Sequence, residues 1–339
     1  LLNNSAQINL CKNTGVSPLY IACQNGNEST VQHLLNNGAD VSLCKDTGAN
    51  PIFIACEKGH DKIIQLLLNK GVEVNFCNNT GSSPLYIACQ NGQDTTVKLL
   101  LKNDADVNLC DNTKISPLFI SCLNGHEQIV DCLLSNGAEV NLCNETFATP
   151  LYIACKYGHS NIVQNLLNHG GDANLHVCKK NWNSPLYIAC QNGCYDIVQL
   201  LLNFNANVNR KKKEGASPLY VSCEKGHERI VQLLLKHSAA VNLRKNTGEC
   251  PLYMACLNKH HSTVEVLLNN GANVDLCNNT GEGPLFVACK FGYESIVQLL
   301  LDHGAYESLR THTGTSPLDI AKQKNHYGIV NILKSKGAF

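Results

Sequence analysis

Cysteine and histidine are the residues of this chain whose types and spacing could perform chemistry. Five pairs repeat a Cys-x3-His spacing, which could indicate zinc binding because both side chains are zinc ligands. The pairs are Cys56 and His60, Cys122 and His126, Cys155 and His159, Cys223 and His227, and Cys256 and His260. A glycine between the two residues of most pairs would break the helix, and a structural zinc needs about four converging ligands. We therefore expect no metal site.

No other combination of residues resembles a catalytic centre. The chain has no glycine-rich phosphate loop, no HExxH motif and no GxSxG motif. A thiol repeated at many equivalent positions is expected to be buried and inert. No apolar run approaches the roughly 18 residues of a membrane span. The sequence thus predicts no enzyme activity, no catalytic residue, no cofactor and no membrane contact.

A repeat positions these residues. Its ten prolines are Pro18, Pro51, Pro84, Pro117, Pro150, Pro185, Pro218, Pro251, Pro284 and Pro317. They are 33 residues apart, except for one step of 35 residues between Pro150 and Pro185. A fixed period in this range is typical of a repeat array, and we number the repeats 1 to 10 by their prolines.

Sixteen of the nineteen cysteines follow the same period, and Cys132, Cys194 and Cys250 lie elsewhere. Nine, the helix cysteines, lie five residues after a proline: Cys23, Cys56, Cys89, Cys122, Cys155, Cys190, Cys223, Cys256 and Cys289. Seven, the finger cysteines, lie seven residues before a proline: Cys11, Cys44, Cys77, Cys110, Cys143, Cys178 and Cys277. Thiols at a repeated small-residue position behave as small hydrophobes rather than as disulfide partners. Many free thiols fit a reducing compartment, so we expect a cytoplasmic protein.

One repeat illustrates the predicted structure. Ser83 should cap a short helix that starts at Pro84 and stops at Gly92. A second helix carries Val97 and Leu100, and the polar segment after it suits a β-hairpin tip. Each unit would bury its apolar face only against its neighbours. The prediction is an all-α repeat solenoid of helix-turn-helix units with projecting β-hairpin fingers.

The recurring phrase, for example SPLYIACQNG at 83–92, resembles the ankyrin repeat. That family has the approximate consensus G-x-TPLH-x-AA-x-x-GH-x-x-IV-x-x-LL-x-x-GA-x-x-N. Here Tyr or Phe replaces the histidine after Pro-Leu, and Cys replaces the second alanine. The PLYIAC variant is similar to long invertebrate ankyrin arrays. The resemblance implies a concave protein-binding surface of finger tips and first helices, and a hydrogen-bonding role for the histidine of the GH pair.

The repeat also sets the expected domain boundaries. Residues 1–10 match only the last third of a repeat, so we expect them to be the tail of a truncated repeat that others precede. Residues 11–309 would form nine ankyrin repeats. Residues 310–339 would form a capping repeat, because Asp319 and Lys322 replace the aromatic residue and the cysteine.

Charge is unevenly distributed along a chain whose formal net charge is zero. Residues 1–144 carry 8 basic and 13 acidic side chains, whereas residues 178–250 carry 11 basic and 5 acidic ones. The basic block would attract an acidic partner that the first block repels.

Three consecutive fingers depart from the repeat. The position three residues before the proline is glycine in seven repeats, but it is Lys114, Phe147 and Trp182 in the other three. Aromatic residues beside cations at exposed positions fit a recognition hot spot. The alternative is drift at loop tips. The predicted partner-binding residues are Lys114, Phe147, Tyr157, Lys179, Lys180, Trp182, Asn192, Arg210, Lys211, Lys212, Lys213, Arg244 and Lys245.

These patterns favour a non-enzymatic protein-interaction scaffold that acts as a monomeric fragment. Its partner would be a protein with an acidic segment or another domain of the same chain. A first alternative is a sensor that binds an anionic ligand or nucleic acid through the basic fingers of repeats 6–8. Nucleic acid is disfavoured because the basic cluster spans only about three fingers. A second alternative is a structural spacer in a larger multidomain protein.

Overall fold

The computed structural model describes residues 7–175 and 183–337. These residues form twenty α-helices in ten consecutive pairs and contain no β-strand. The first helices are α1 (Pro18–Gln24), α3 (Pro51–Lys58), α5 (Pro84–Gln90), α7 (Pro117–Asn124), α9 (Pro150–Tyr157), α11 (Pro185–Asn192), α13 (Pro218–Lys225), α15 (Pro251–Leu257), α17 (Pro284–Phe291) and α19 (Pro317–Gln323). The second helices are α2 (Glu28–Asn36), α4 (Asp61–Asn69), α6 (Asp94–Lys102), α8 (Glu127–Ser135), α10 (Ser160–Asn168), α12 (Tyr195–Asn203), α14 (Glu228–Lys236), α16 (His261–Asn269), α18 (Glu294–Asp302) and α20 (Tyr327–Ser335).

Each first helix begins at its proline, and in nine of the ten the side chain of the preceding residue caps it. Ser83 Oγ accepts the backbone N–H of Tyr86 at 3.0 Å, which confirms the predicted cap. Asn50 and Cys250 use a side-chain oxygen and a sulfur in the same way, at 3.0 and 3.4 Å. Gly283 has no side chain to offer at this position. Proline itself needs no partner at the first helical position.

The helix pairs stack in tandem within two compact units, residues 1–172 (the N-terminal unit) and 173–339 (the C-terminal unit). Inside each unit, first helices pack against first helices and second helices against second helices. In repeat 3, Leu85, Cys89, Val97 and Leu100 are at most 1% exposed, so the core of that repeat is continuous with its neighbours. The predicted all-α repeat solenoid is confirmed. Among the described residues, no helix combines the length and the apolar character needed to cross a membrane.

The fingers that connect successive pairs are hydrogen-bonded turns rather than strand ladders. In one finger, the Lys45 N–H donates to Ala49 O at 2.9 Å and the Gly48 N–H donates to Lys45 O at 2.7 Å. Neighbouring fingers are joined through the backbone, as where the Asn79 N–H donates to Thr47 O at 3.0 Å. One backbone bond between adjacent tips is too few for a strand, which is why the predicted hairpins contain no β-strand in the described residues.

Asparagine side chains add a second set of bonds between repeats. Asn75 Oδ1 accepts the Asp106 N–H at 2.8 Å, and Asn79 Nδ2 donates to Asp46 O at 2.8 Å. These amides satisfy backbone groups that a turn would otherwise leave without a partner. The same two bonds recur in the C-terminal unit, where Asn242 Oδ1 accepts the Asn273 N–H at 2.8 Å and Asn246 Nδ2 donates to Lys213 O at 3.1 Å.

The last repeat has polar side chains where the others have apolar ones. Ser316 Oγ accepts the Asp319 N–H at 3.1 Å, and Asp319 Oδ2 accepts the Ser316 N–H at 3.0 Å. Arg310 adds an ion pair to the same carboxylate at 3.1 Å. Lys322 is exposed at the position that holds a buried cysteine elsewhere. This reciprocal capping arrangement gives α19 a polar outer face.

Candidate partner-binding surface

The histidines of the Cys-x3-His pairs link repeats. The Nε2 atoms of His126 and His260 lie 3.3 and 3.1 Å from the backbone carbonyl oxygens of Gln90 and Glu224. A carbonyl oxygen only accepts, so each Nε2 carries the proton and donates it. A protonated nitrogen has no lone pair for a metal. The hydrogen-bonding role implied by the resemblance is therefore confirmed, and no group of three or more His, Cys, Asp or Glu able to hold a metal occurs within residues 7–175 and 183–337.

The helix cysteines are all buried, as predicted. Burial raises the pKa of Cys23 to about 12, and it raises the pKa of Cys190 to about 12 against a smaller opposing effect of a hydrogen bond from Ser222. Such thiols remain protonated at neutral pH and are poor nucleophiles. The described finger cysteines are half-buried, and Cys44 Sγ donates to Ser42 O at 3.2 Å. Cys178 lies outside the described residues.

Lys114 and Phe147 adopt the left-handed backbone conformation at the finger position where other repeats have glycine. Their φ angles are 60° and 63°, close to the 76° of Gly48 and the 78° of Gly81. This conformation costs an L-residue about 1–2 kcal/mol relative to glycine. Phe147 is 41% exposed, and Lys114 is exposed as well. Residues held in a disfavoured conformation occur preferentially at functional sites.

In most repeats this position is a glycine that lies close to the next finger. A Cβ atom on Gly81 would lie 2.7 Å from the backbone nitrogen of Asn112, and closer still to the Asn112 side-chain oxygen. The same close approach occurs between Gly215 and Asn246. The non-glycine residues Lys114, Phe147 and Trp182 precede fingers that carry a longer side chain at the contacting position, namely Glu145, Lys180 and Lys213. The departures therefore occur where the folded-back asparagine is absent.

In the C-terminal unit, the basic fingers of repeats 7 and 8 are bonded to each other and to repeat 6. Arg210 Nη1 donates to Asn174 O at 2.7 Å, and Lys211 Nζ donates to Arg244 O at 2.9 Å. Arg244 Nε donates to Gly248 O at 2.8 Å within its own finger. These acceptors are neutral carbonyl oxygens, and the bonds orient the three cations.

Two further lysines of these fingers lie over tyrosine rings of the preceding repeat. Lys212 Nζ is 5.4 Å from the centroid of Tyr187, and Lys245 Nζ is 5.8 Å from that of Tyr220. Burial and neighbouring carboxylates raise the pKa of both tyrosines, so both phenols stay neutral beneath the cations. Lys212 also pairs with Glu214 at 3.5 Å. The basic fingers thus cover the start of the first helices.

The other predicted residues are distributed over both units. In the N-terminal unit, Tyr157 is 52% exposed at the end of α9 and stacks on His159 with 6.4 Å between ring centroids. In the C-terminal unit, Asn192 is exposed at the end of α11, and Lys213 is exposed at its finger tip. The predicted residues Lys179, Lys180 and Trp182 lie outside the described residues.

Exposed aromatic residues at the turns between the two helices of repeats 9 and 10 were missed by the sequence analysis. Phe291 and Tyr327 are 47% and 69% exposed. The signal was present, because most repeats carry asparagine, lysine or a carboxylate at these two positions.

Comparison with known proteins places these features in a family context. The family model for ankyrin repeats (three copies) matches residues 1–76, 19–111, 70–144, 118–212, 186–278 and 252–339. Among solved structures, the crystal structure of the human ASB11 ankyrin repeat domain is similar, with a TM-score of 0.58. The sequence identity is 27%, and the match covers 66% of this chain and 98% of that chain. No curated protein matches the sequence.

Proposed function

The chain belongs to the ankyrin-repeat family, whose repeats mediate protein–protein interaction, and from that premise we propose that it is a non-enzymatic interaction scaffold. Its finger tips and first helices would form the binding surface. In this proposal the residues predicted from the sequence, from Lys114 to Lys245, contact the partner. The fold supports the general proposal of an interaction scaffold, and the basic fingers support the specific proposal of a partner with an acidic segment.

The observation that supports the specific proposal is the oriented charge of the basic fingers. Arg210, Lys211 and Arg244 are held by carbonyl oxygens, which reduces the conformational entropy that binding would cost. An acidic segment of a partner protein would meet cations that already point in fixed directions. Such complementarity raises the association rate and gives specificity more than affinity.

Exposed aromatic side chains would supply the apolar contacts. Phe147 and Tyr157 in the N-terminal unit are accessible to a partner, and rigid aromatic rings are common anchors of protein interfaces. We include Trp182 in the proposal on its sequence position alone. A monomeric state and a cytoplasmic location are also part of the proposal, and the buried thiols of the helix cysteines fit the reducing compartment.

The proposal can be tested by affinity capture from cell extracts with a charge-reversed variant. Proteins retained by the wild-type chain should be lost with Lys211→Glu combined with Lys213→Glu, and their retention should fall as salt is raised. The matched control is Lys236→Glu, which reverses one exposed charge on the second helix α14. Capture of the same proteins by all three chains would contradict the assignment to the fingers. Retention of nucleic acid in place of protein would favour the anion sensor.

A further inference from the structure

A second exposed surface lies at the carboxyl ends of the first helices. These ends are remote from the fingers. The surface consists of Lys259, Phe291, Tyr293, Lys324 and Tyr327, and we call it the aromatic edge. These residues occupy the turns between α15 and α16, between α17 and α18, and between α19 and α20. All belong to the C-terminal unit.

The side chains of the aromatic edge form a connected layer. The rings of Phe291 and Tyr293 stack with 6.1 Å between centroids and an interplanar angle of 20°. Lys259 Nζ lies 5.4 Å from the centroid of Tyr293. The Lys259 ammonium, the Tyr293 ring and the Phe291 ring therefore follow one another across two repeats.

Repeat 10 extends this layer. The His326 ring lies against Gly292, since a Cβ there would be 2.8 Å from His326 Cε1. His326 Nε2 also donates to Lys290 O at 3.3 Å. Tyr327 follows His326 directly, and its hydroxyl donates to Asn325 Oδ1 at 3.4 Å in the same turn. With 69% of its surface exposed, Tyr327 offers most of its ring to a ligand.

Backbone conformation sets these turns apart from those of the other repeats. Lys259 and Asn325 have φ angles of 61° and 59°, although the equivalent position in every other repeat is glycine. Left-handed conformation is disfavoured for residues with a Cβ atom, and such positions concentrate at functional sites. At Lys259 this conformation directs the side chain over the ring of the next repeat.

The charges around the aromatic edge are mainly positive. Lys259 and Lys324 are exposed, and Lys290 is paired with Glu282 at 3.1 Å. Glu294 is the nearby acid, and its carboxylate lies beside Gly328 on the second-helix side of the turn. A ligand at the rings would thus meet Lys259 over Tyr293, with the exposed Lys324 in the turn of the next repeat.

We propose that the aromatic edge binds an acidic, proline-rich segment of another protein. Proline rings pack on flat aromatic faces, and the extended conformation of proline-rich chains is ordered before binding, so little entropy is lost. Carboxylates flanking the prolines would pair with Lys259 and Lys324. This surface is separate from the fingers, and it gives the C-terminal unit a second binding site.

The test is fluorescence polarisation with a labelled twelve-residue peptide that alternates glutamate and proline. We expect saturable binding that Phe291→Ala and Tyr327→Ala each weaken at least about tenfold, the loss typical of an aromatic anchor. Tyr306→Ala is the matched control, because Tyr306 is 66% exposed in a finger of the same unit. A peptide with alanine in place of proline should bind at least about tenfold more weakly.

Several outcomes would overturn this proposal. They are the absence of saturable binding, equal effects of Tyr327→Ala and Tyr306→Ala, and equal binding of the alanine peptide. Loss of binding only in the finger variant Lys213→Glu would assign the peptide to the basic fingers, which supports the proposed function but not this site. Sedimentation showing a dimer that Tyr327→Ala dissociates would mean that a second copy of the chain occupies the edge.

Discussion

Replacing Gly81 by alanine is expected to lower the free energy of unfolding by about 2–4 kcal/mol. The φ angle of 78° costs an L-residue about 1–2 kcal/mol. The new methyl group would also lie 2.7 Å from the Asn112 backbone nitrogen. Moving Asn112 away weakens its N–H bond to Thr80 O at 3.0 Å and its side-chain bond to Asn79 O at 3.1 Å. Each bond contributes about 1 kcal/mol.

Two variants separate backbone strain from the collision. Gly71 has a φ angle of 74°, but a Cβ there meets nothing within 4 Å, so Gly71→Ala should cost only about 1–2 kcal/mol. Lys114→Gly removes the left-handed strain while it increases the entropy of the unfolded chain. Lys114→Gly should therefore raise the free energy of unfolding by about 0–1 kcal/mol.

Hydrogen exchange of the Asn112 amide is the appropriate measurement, because long repeat arrays need not unfold in one step. A loss of about 2 kcal/mol would appear as roughly thirty-fold faster exchange. The reasoning would be refuted if Gly81→Ala and Gly71→Ala accelerated this amide equally, or if Lys114→Gly destabilised the finger more than either.

Three further outcomes are expected. Amides of 238–283 should exchange faster than those of 51–101, because Ser238 has a φ angle of 64° and Gly283 provides no side-chain cap; equal protection would contradict this. A thiol reagent should label the described finger cysteines well before the buried helix cysteines, as intact-mass measurement can show, and native disulfides would disprove the packing argument. Bonds from the Ser316 backbone and side chain hold the pKa of Asp319 below its usual value, so its stabilising effect is present above about pH 4 and is lost as pH falls through its folded pKa. Protection factors of the α20 amides should fall at low pH in the wild-type chain, and Asp319→Asn should remove that pH dependence.

Most of the fold could be predicted from the sequence because its determinants are local. Ten residues specify each first helix: a capping residue such as Ser83, the proline at the first helical position and a glycine such as Gly92 after the helix. The fixed period then indicates that the pairs stack. The absence of β-strands from the described fingers was harder to predict from the sequence, because the choice between a turn and a strand depends on how closely neighbouring finger tips approach.

The binding surface could be predicted only in part. The sequence predicts only that Arg210, Lys211 and Arg244 are cations at exposed positions. In the structure they bond to carbonyl oxygens, which no sequence pattern identifies. The dependence of Gly81 on Asn112 is likewise a contact between residues 31 positions apart. The sequence contains both residues, but nothing in it indicates that their atoms meet.

The bonds between repeats have a consequence for how such a gene can change in length. Asp106 bonds to Asn75 across 31 residues, Asn112 to Asn79 across 33, and His126 to the carbonyl of Gln90 across 36. Each donor therefore reaches back by nearly one period. A tandem duplication of one period copies donors and acceptors together. Both partners of each of these hydrogen bonds are therefore present at the new boundary between repeats. Such an array can lengthen by recombination without a compensating mutation at the junction.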